Sequence, residues 1–288
     1  MKIVAISNQK GGVAKTTTAV NLSACLEELG SRVLMVDLDP QANGTSALGV
    51  EPPAAASLYR PLLGEGAAVD KILPTNMPNL SIIPGELELA GVEIELARTD
   101  SHLSRLREVL EPLRELDRFD YVILDTPPSL GVIMTSALAA ADEVLVPLQC
   151  EYFGLEGLSR IVHVVDEIRQ SGANPDLHIE GILMTMYDSR TNLSQQVMAD
   201  VRRHQAELVR GRNLSQQVVE DLRTHFSEVV YKTVIPRTVR IAEAPSFGQP
   251  IIQYDPNGRG AAAYRDMAKE FLIRHGQTPE EQPLEAAS

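Results

Sequence analysis

One stretch near the N-terminus constrains the fold more than any other feature of the chain. It reads Ser-Asn-Gln-Lys-Gly-Gly-Val-Ala-Lys-Thr-Thr-Thr and occupies positions 7–18. Residues 2–6 before it form a short apolar run that predicts a buried strand. Residues 16–29 after it have apolar side chains at helical spacing and predict a helix that Gly30 ends. A strand, a glycine-bearing loop and a helix, in that order, are typical of a phosphate-binding loop.

The residue types in this loop suit a bound anion. Gly11 and Gly12 let the backbone bend tightly and come close to a ligand. Main-chain N–H groups and the positive end of the helix dipole then favour phosphate. We expect the Lys15 ammonium to reach the β- and γ-phosphates, and the Thr16 hydroxyl to ligate magnesium.

The loop departs from the usual pattern G-x-x-x-x-G-K-[ST]. Gln9 and Ala14 stand at its two glycine positions, and the sequence instead reads K-G-G-x-x-K-T, with an additional lysine at Lys10. At Ala14 we expect a negative φ, because a positive φ is unfavourable for a residue that carries a Cβ.

Two further predicted strands end in aspartates. Residues 32–37 are followed by D-x-D-P-Q, in which Asp37 and Asp39 leave the strand end. Carboxylates there can organise magnesium or an attacking water; the alternative for Asp39 is a helix or turn cap before Pro40. Residues 120–125 form an apolar strand that ends in Asp125, which would hold magnesium through water or Thr16.

Additional strands are predicted at 80–84, 143–147 and 180–186, with helices between them. This alternation predicts an α/β fold: a doubly wound, mainly parallel sheet with helices on both faces. Residues 50–79 are interpreted as connecting structure with short helices, and residues 86–116 as a mostly solvated helix. Ligands of such sheets bind beyond the carboxyl ends of the strands, where all three motifs fall.

The three motifs together resemble the ParA/MinD family of deviant P-loop ATPases, and most of all its small chromosomal ParA (Soj) proteins. The resemblance covers roughly residues 1–275 and implies one P-loop ATPase domain, ATP and Mg²⁺ as cofactors, and an ATP-dependent homodimer. It implies that Lys10 reaches the partner's phosphates and that Asp39 serves hydrolysis. The implied catalytic residues are Lys10, Lys15 and Asp39. The implied metal ligands are Thr16, Asp39 and Asp125. The implied ATP-binding residues are Lys10, Gly11, Gly12, Val13, Ala14, Lys15, Thr16, Thr17, Pro236 and Thr238.

The same resemblance implies non-specific binding of double-stranded DNA. The matching positions are Arg190, Arg240 and, less directly, Arg237, which would neutralise phosphates without reading bases. Ordinary solvated charge is the alternative for each of them. Thr238 replaces the asparagine usual in the family, so one side-chain contact to adenine is in question.

A tandem duplication occupies residues 192–225. The segment 192–204 recurs at 213–225 with nine of thirteen positions identical, at an offset of 21 residues. Both copies have helical spacing, and we expect two helices that join near residues 210–213, where Gly211 can interrupt the chain. From 190 to 212 there are five arginines and two acidic residues, so this stretch is locally basic.

Composition limits the alternatives. A net charge of −13 argues against nucleic-acid binding over the whole surface. Two cysteines make a disulfide framework unexpected and suit a reducing cytosol. No apolar run approaches the roughly 20 residues of a membrane span. Residues 262–273 predict a last helix with a core-like stripe, for which membrane binding is the alternative. The polar residues 276–288 are expected to be a disordered tail.

We therefore expect a cytoplasmic, nucleoid-associated partition ATPase that acts with a ParB-type partner and not on a membrane. A MinD-like, membrane-associated positioning ATPase is the first alternative, but it requires a basic amphipathic tail. An electron-transfer protein like the nitrogenase iron protein is the second. It requires cysteines placed to bridge a cluster, and Cys25 and Cys150 do not have that placement.

Overall fold

The computed structural model describes residues 1–97, 102–151, 154–191, 194–195, 197 and 229–278. Within these residues, eight strands form one sheet in the order β3-β4-β2-β5-β1-β6-β7-β8. Neighbouring strands are parallel except β3 and β4, which pair antiparallel at one edge. The predicted mainly parallel, doubly wound sheet is confirmed. The strands are β1 Lys2–Ile6, β2 Val33–Asp37, β3 Leu73–Pro74, β4 Leu80–Ile83, β5 Tyr121–Asp125, β6 Glu143–Gln149, β7 His178–Tyr187 and β8 Val230–Pro236.

Helices connect the strands and cover both faces of the sheet. Short 3₁₀ turns lie at Ala68–Lys71 and Ala244–Phe247. The described α-helices are α1 Lys15–Glu28, α2 Asn43–Ala47, α3 Tyr59–Leu62, α4 Leu89–Leu96, α5 Arg105–Glu115, α6 Val132–Ala140, α7 Gly154–Gln170, α8 Val239–Glu243, α9 Ile251–Tyr254 and α10 Arg259–Arg274.

Strand residues alternate between two hydrophobic cores. Ile3 and Ala5 of β1 face the core that contains α4–α7, whereas Val4 and Ile6 face the core that contains α1 and α10. This is the two-residue period of a strand that is buried on both faces. The strands are therefore continuous apolar runs, which is why they could be predicted.

Strand register brings the three motifs to one edge of the sheet. Ile6, the last residue of β1, lies beside Asp125 of β5. Asp125 in turn lies beside Asp37 of β2. The glycine loop thus leaves the sheet next to two aspartates, at the point where the chain winds outward in both directions from β1.

The expectation of a mostly solvated helix at 86–116 is wrong. The described part of this stretch contains two helices, α4 and α5, and both bury one face. Their charged residues point outward, but leucines and valines at helical spacing enter the core. The buried side chains are Leu89, Val92, Leu96, Leu106, Val109, Leu110 and Leu113.

Two strands were not predicted. β3 contains only two residues, one of them Pro74, so its hydrophobic pattern is too short to recognise. β8 is interrupted by the exposed Lys232 and the half-buried Thr233, so no continuous apolar run marks it.

The prediction that the last helix packs into the core is confirmed. Tyr264, Met267, Ala268, Phe271 and Leu272 of α10 are all buried. Across the described ranges, no helix combines the length and apolar character needed to cross a bilayer. Almost all of the duplication at 192–225, together with residues 279–288, lies outside the described residues, so the expectations for two helices and for a tail remain predictions.

Candidate nucleotide site

The glycine loop turns through two left-handed residues. Gly12 has φ 75° and Ala14 has φ 70°. The expectation of a negative φ at Ala14 is therefore wrong. A left-handed alanine costs about 1–2 kcal/mol, and its neighbours hold it there. Val13 is buried, and its carbonyl accepts a hydrogen bond from the Thr185 hydroxyl at 3.1 Å. Because α1 begins at Lys15, the N–H groups of its first turn have no acceptors within the helix and can face an anion.

Lys15 crosses this loop from the start of α1. Its side chain is largely buried, and its Nζ donates to the main-chain carbonyl of Lys10 at 3.1 Å. Burial lowers the pKa of Lys15, and the charges of Asp125 and Asp39 partly oppose that shift. The structure therefore brings the predicted phosphate-binding lysine and both predicted acidic residues into one electrostatic cluster.

Asp125 is the least compensated group at the site. Both of its carboxylate oxygens are buried, and neither has a hydrogen-bond partner among the described residues. Burial raises the pKa of Asp125 well above its usual value, and the charge of Asp37 raises it further. The Thr16 hydroxyl lies close enough to favour the ionised form without reaching hydrogen-bond geometry. An unsatisfied buried carboxylate beside a hydroxyl is suited to hold a hydrated cation.

Asp37 and Asp39 make different hydrogen bonds. Asp37 accepts hydrogen bonds from the Thr45 N–H and hydroxyl, both at 2.8 Å, and from the Asp39 N–H at 3.2 Å. Burial raises its pKa to about 6 despite these bonds. Asp39 accepts from the Gln41 N–H at 2.9 Å, so it does cap a turn. Its second oxygen remains available, and the two interpretations of Asp39 are compatible.

No three His, Cys, Asp or Glu side chains in the described ranges converge on a point that could hold a metal by themselves. Magnesium in phosphate sites is usually held by one or two carboxylates or hydroxyls together with waters and substrate phosphates. The predicted ligands Thr16, Asp39 and Asp125 would leave the remaining coordination positions to water and phosphate oxygens. The set therefore suits a metal that arrives with the nucleotide.

Lys10 is paired within its own chain. Its Nζ donates to Gln149 Oε1 at 3.3 Å and lies 3.6 Å from Glu151 Oε2. Below it, the buried Asn8 accepts from the Lys10 N–H at 3.0 Å and donates to the Pro147 carbonyl at 2.8 Å. Sequence reasoning did not identify Asn8, Gln149 or Glu151, because no local motif joins residues about 140 positions apart.

A cleft of about 400 Å³ extends from Thr16 and Thr17 past the start of α2 to the 3₁₀ turn at Ala244–Phe247. Pro236 and Thr238 are not among the residues that line it. Thr238 instead caps α8, since its hydroxyl accepts from the Ile241 N–H at 3.1 Å. The proposed adenine contacts of Pro236 and Thr238 therefore remain predictions, and the Thr238 oxygen is already engaged.

The three predicted DNA-binding arginines are exposed but are not all in one place. Arg190 follows β7 and forms an ion pair with Asp188 at 2.8 Å. Arg237 follows β8, and its N–H donates to the Tyr187 carbonyl at 3.0 Å, so it lies beside the same turn. Arg240 lies on α8 and approaches Glu243 at 3.4 Å.

Comparison with known proteins gives a consistent result. A family model described as an AAA domain matches residues 1–179. The sporulation initiation inhibitor protein Soj of Bacillus subtilis is 48% identical over 270 residues, which cover 93% of this chain and 97% of that protein. The chromosome partitioning protein ParA of Caulobacter vibrioides NA1000 is 44% identical over 275 residues, which cover 95% of each protein.

Solved structures resemble the fold over the same length. Cobyrinic acid a,c-diamide synthase from Mycobacterium smegmatis, solved with a bound ATP analogue and magnesium, has a TM-score of 0.75 and 35% identity and covers 98% of each chain. The cell division ATPase MinD of Pyrococcus furiosus has a TM-score of 0.71 and 27% identity, covering 94% of this chain and 98% of that one.

Proposed function

The chain belongs to the ParA/MinD family of P-loop ATPases, and from this premise we propose that it is a partition ATPase. In this proposal it binds ATP with magnesium, dimerises around the nucleotide, binds duplex DNA non-specifically and releases it after hydrolysis. A ParB-type partner would stimulate that cycle during chromosome segregation or origin positioning. The similarity to the chromosome partitioning protein ParA supports this role. The observation that carries the proposal is the glycine loop at the end of β1, with Lys15 in electrostatic interaction with the unsatisfied carboxylate of Asp125.

Phosphate binding would use groups that are already in place. The N–H groups at the start of α1 face the loop, and the Lys15 ammonium would exchange the Lys10 carbonyl for phosphate oxygens. Lys15 lies in a buried site, where a charge–charge contact is stronger than in water. The charges of Asp125 and Asp39 partly oppose the lowering of its pKa by burial and so favour its charged form.

Thr16 and Asp125 would hold magnesium. When bound, the metal neutralises charge on the phosphate oxygens. It would also relieve the electrostatic cost of the buried Asp125 carboxylate, which has no compensating hydrogen bond. Asp39 would orient the attacking water through its free oxygen. Positioning and charge neutralisation are the usual means by which proteins accelerate phosphoryl transfer.

Dimerisation would depend on Lys10. In the described conformation, Gln149 and Glu151 hold its ammonium within the chain, so it must leave them to reach a partner's nucleotide. The ion pair between Lys10 and Glu151 is partly exposed to solvent. An exposed ion pair stabilises a conformation by at most about 1 kcal/mol. Triphosphate carries more negative charge than a single carboxylate and would displace Glu151.

The deciding experiment measures binding to a duplex of unrelated sequence with ATP, with ADP and without nucleotide, each with magnesium. We expect binding with ATP alone, and we expect Lys15→Ala to abolish it. A separate sizing measurement should show dimers only with ATP. Equal DNA binding in all three nucleotide states, or none in any state, would contradict the proposed function.

A MinD-like, membrane-associated ATPase is the second candidate, because MinD shares the fold. The apolar face of α10 argues against it, since Tyr264, Met267 and Phe271 pack in the core and are not available to a bilayer. Co-sedimentation with anionic lipid vesicles in ATP separates the candidates. ATP-dependent sedimentation without DNA binding would favour the MinD-like function.

A further inference from the structure

The turn after β7 holds Arg190 against an acidic residue of the same turn. Asp188 Oδ1 accepts from the Arg190 N–H at 3.0 Å and from Arg190 Nε at 2.9 Å. Asp188 Oδ2 accepts from Arg190 Nη2 at 2.8 Å. The two side-chain bonds form the parallel, two-pronged pairing that is the strongest geometry between arginine and a carboxylate.

The pairing leaves the guanidinium accessible while compensating its charge. A guanidinium has five N–H donors, and Asp188 accepts from two of its nitrogens. The Arg190 side chain remains 87% exposed, so a phosphate can still approach its free edge. The negative charge of Asp188, next to the guanidinium, would repel that phosphate.

Asp188 also interacts with a second arginine of this surface. Its hydrogen bonds with Arg190 and, to a smaller extent, the charge of Arg237 lower its pKa to about 2. Asp188 is therefore ionised at any physiological pH, and its negative charge interacts with both proposed DNA contacts. Ordinary solvated charges on a helix would not show this arrangement.

We propose that Asp188 limits the DNA affinity of this surface by acting as an intrachain counter-charge to Arg190, with which duplex phosphates must compete. This inference rests on the proposed function, because it takes Arg190 as a phosphate contact. An arginine already neutralised by a carboxylate releases fewer counterions from DNA than a free one. Asp188 therefore lowers both the affinity and its dependence on salt.

A residue that lowers DNA affinity, as proposed for Asp188, is useful in a protein that must release DNA. Non-specific binding gains strength with each phosphate neutralised, and a surface of unopposed arginines would hold DNA through the whole nucleotide cycle. A counter-charge on Arg190 keeps the bound state weak enough for the change of nucleotide to reverse it.

The chain supplies a matched control. Arg240 is paired with Glu243, but at 3.4 Å and through one nitrogen. Glu243→Gln removes the same single charge as Asp188→Asn, and near another proposed contact. If pairing geometry matters, Asp188→Asn must have the larger effect. If only net charge matters, the two substitutions must act alike.

A second control tests long-range charge. Asp176 precedes β7 and Asp188 follows it, so the ten residues of that strand separate them by roughly 30 Å. This distance exceeds the Debye length of about 8 Å at physiological salt. Asp176→Asn should therefore leave DNA binding unchanged.

The experiment measures affinity for a duplex of unrelated sequence against salt concentration, using the full chain with magnesium and ATP. We expect Asp188→Asn to tighten binding by about three- to tenfold at low salt, and to steepen the plot of log affinity against log salt. The steepening should approach about 0.9 for each Arg190 that newly neutralises a phosphate. Glu243→Gln should tighten binding less, and Arg190→Ala should weaken it.

The double variant completes the test. In an Arg190→Ala background, Asp188→Asn should improve binding no more than Glu243→Gln improves it in the wild type. An unchanged or weaker affinity for Asp188→Asn, or a gain equal to that of Glu243→Gln, overturns this inference while the proposed function stands. Failure of the wild type to bind DNA in any nucleotide state overturns both.

Discussion

The carboxylate of Glu93 caps α6, which begins at Val132, 39 residues further along the chain. Its two oxygens accept from the Val132 N–H at 2.6 Å and the Ile133 N–H at 3.2 Å, at the positive end of α6. Gly131 carries no side chain to make this cap, and a Cβ there would overlap the Glu93 carboxylate. The contact fixes the end of the loop that follows Asp125.

We expect Glu93→Ala to lower the free energy of unfolding by about 1 kcal/mol, the usual cost of a lost helix cap. Gly131→Ala should also destabilise the protein, since its new methyl group displaces the Glu93 side chain. In the double variant, the second substitution should cost much less than it does alone. Chemical denaturation of the four proteins measures this. Additive costs would show that the two residues act independently.

The parts of the site that were predictable are local in sequence. The glycine loop, the strand before it and the two aspartate-ending strands each combine a motif with a hydrophobic run of the right length. Register then follows from parallel pairing, so the meeting of Ile6, Asp125 and Asp37 could be anticipated. The left-handed conformation of Ala14 could not be predicted, because it depends on a hydrogen bond from the distant Thr185 hydroxyl to the carbonyl of the neighbouring Val13.

The parts that were not predictable are contacts between distant segments. In the sequence, Glu93 is one of several acidic residues on a charged predicted helix. Nothing near it in sequence indicates that it contacts the start of α6 at Gly131. The ion-pair partners of Lys10 and Arg190 were also not predicted, although the two pairs differ in sequence separation. Glu151 is distant from Lys10, whereas Asp188 is only two residues from Arg190 and required knowledge of the turn.

Lys10 should matter for dimerisation and not for binding by the monomer. We expect Lys10→Ala to bind ATP with nearly the wild-type affinity but to remain monomeric with ATP and magnesium. Glu151→Gln should act in the opposite direction and lower the ATP concentration needed for dimers, because it removes the intrachain charge at 3.6 Å. Light scattering during an ATP titration checks both. Normal dimers of Lys10→Ala would refute the role across the interface.

Asp39 should matter for hydrolysis more than for nucleotide binding. It is buried, its charge acts on Lys15, and only one of its two oxygens is used to cap the turn at Gln41. Asp39→Ala should bind ATP, dimerise and stay on DNA, with phosphate release slowed at least tenfold. A phosphate-release assay with and without DNA tests this. Wild-type turnover in the variant would leave Asp39 with only its turn-capping role.

Stability should fall as pH rises from 6 to 8. Burial alone would lower the pKa of His275, but its ion pair with Glu143 outweighs burial and raises it. A histidine with a raised pKa in the folded state stabilises the protein fully below about pH 6.5, and that contribution is lost above its folded pKa. Burial raises the pKa of Glu180 to about 7, which adds stability at low pH in the same way.

Thermal unfolding at several pH values separates these groups. His275→Gln should flatten the decline, and the slope that remains should come from the other groups whose pKa values are raised in the folded state, namely Glu180, His178 and Asp125. His178 lies 3.3 Å from Glu143 but is more exposed than His275, so His178→Gln should have a smaller effect. A wild-type midpoint that stays constant or rises between pH 6 and 8 would contradict this account.

The duplication should strengthen DNA binding. The first copy and the residues that join it to the second, 192–212, add four arginines at 202, 203, 210 and 212 to the chain that follows Arg190. Deletion of residues 192–212 joins Thr191 to Asn213 and leaves one copy of the repeat. We expect the shortened protein to hydrolyse ATP normally but to bind DNA less tightly, with a flatter dependence on salt, because fewer phosphates are neutralised.

A deletion can act through the fold as well as through charge, so a full-length variant is the necessary control. Replacing the arginines at 202, 203, 210 and 212 with glutamine removes the charge and keeps the length. If charge is the cause, both proteins should lose affinity and salt slope to a similar degree. A deletion that weakens binding while the glutamine variant binds like the wild type would assign the effect to geometry. Superimposable plots for all three proteins would leave the duplication without a role in DNA binding, and Arg190→Ala should still weaken each of them.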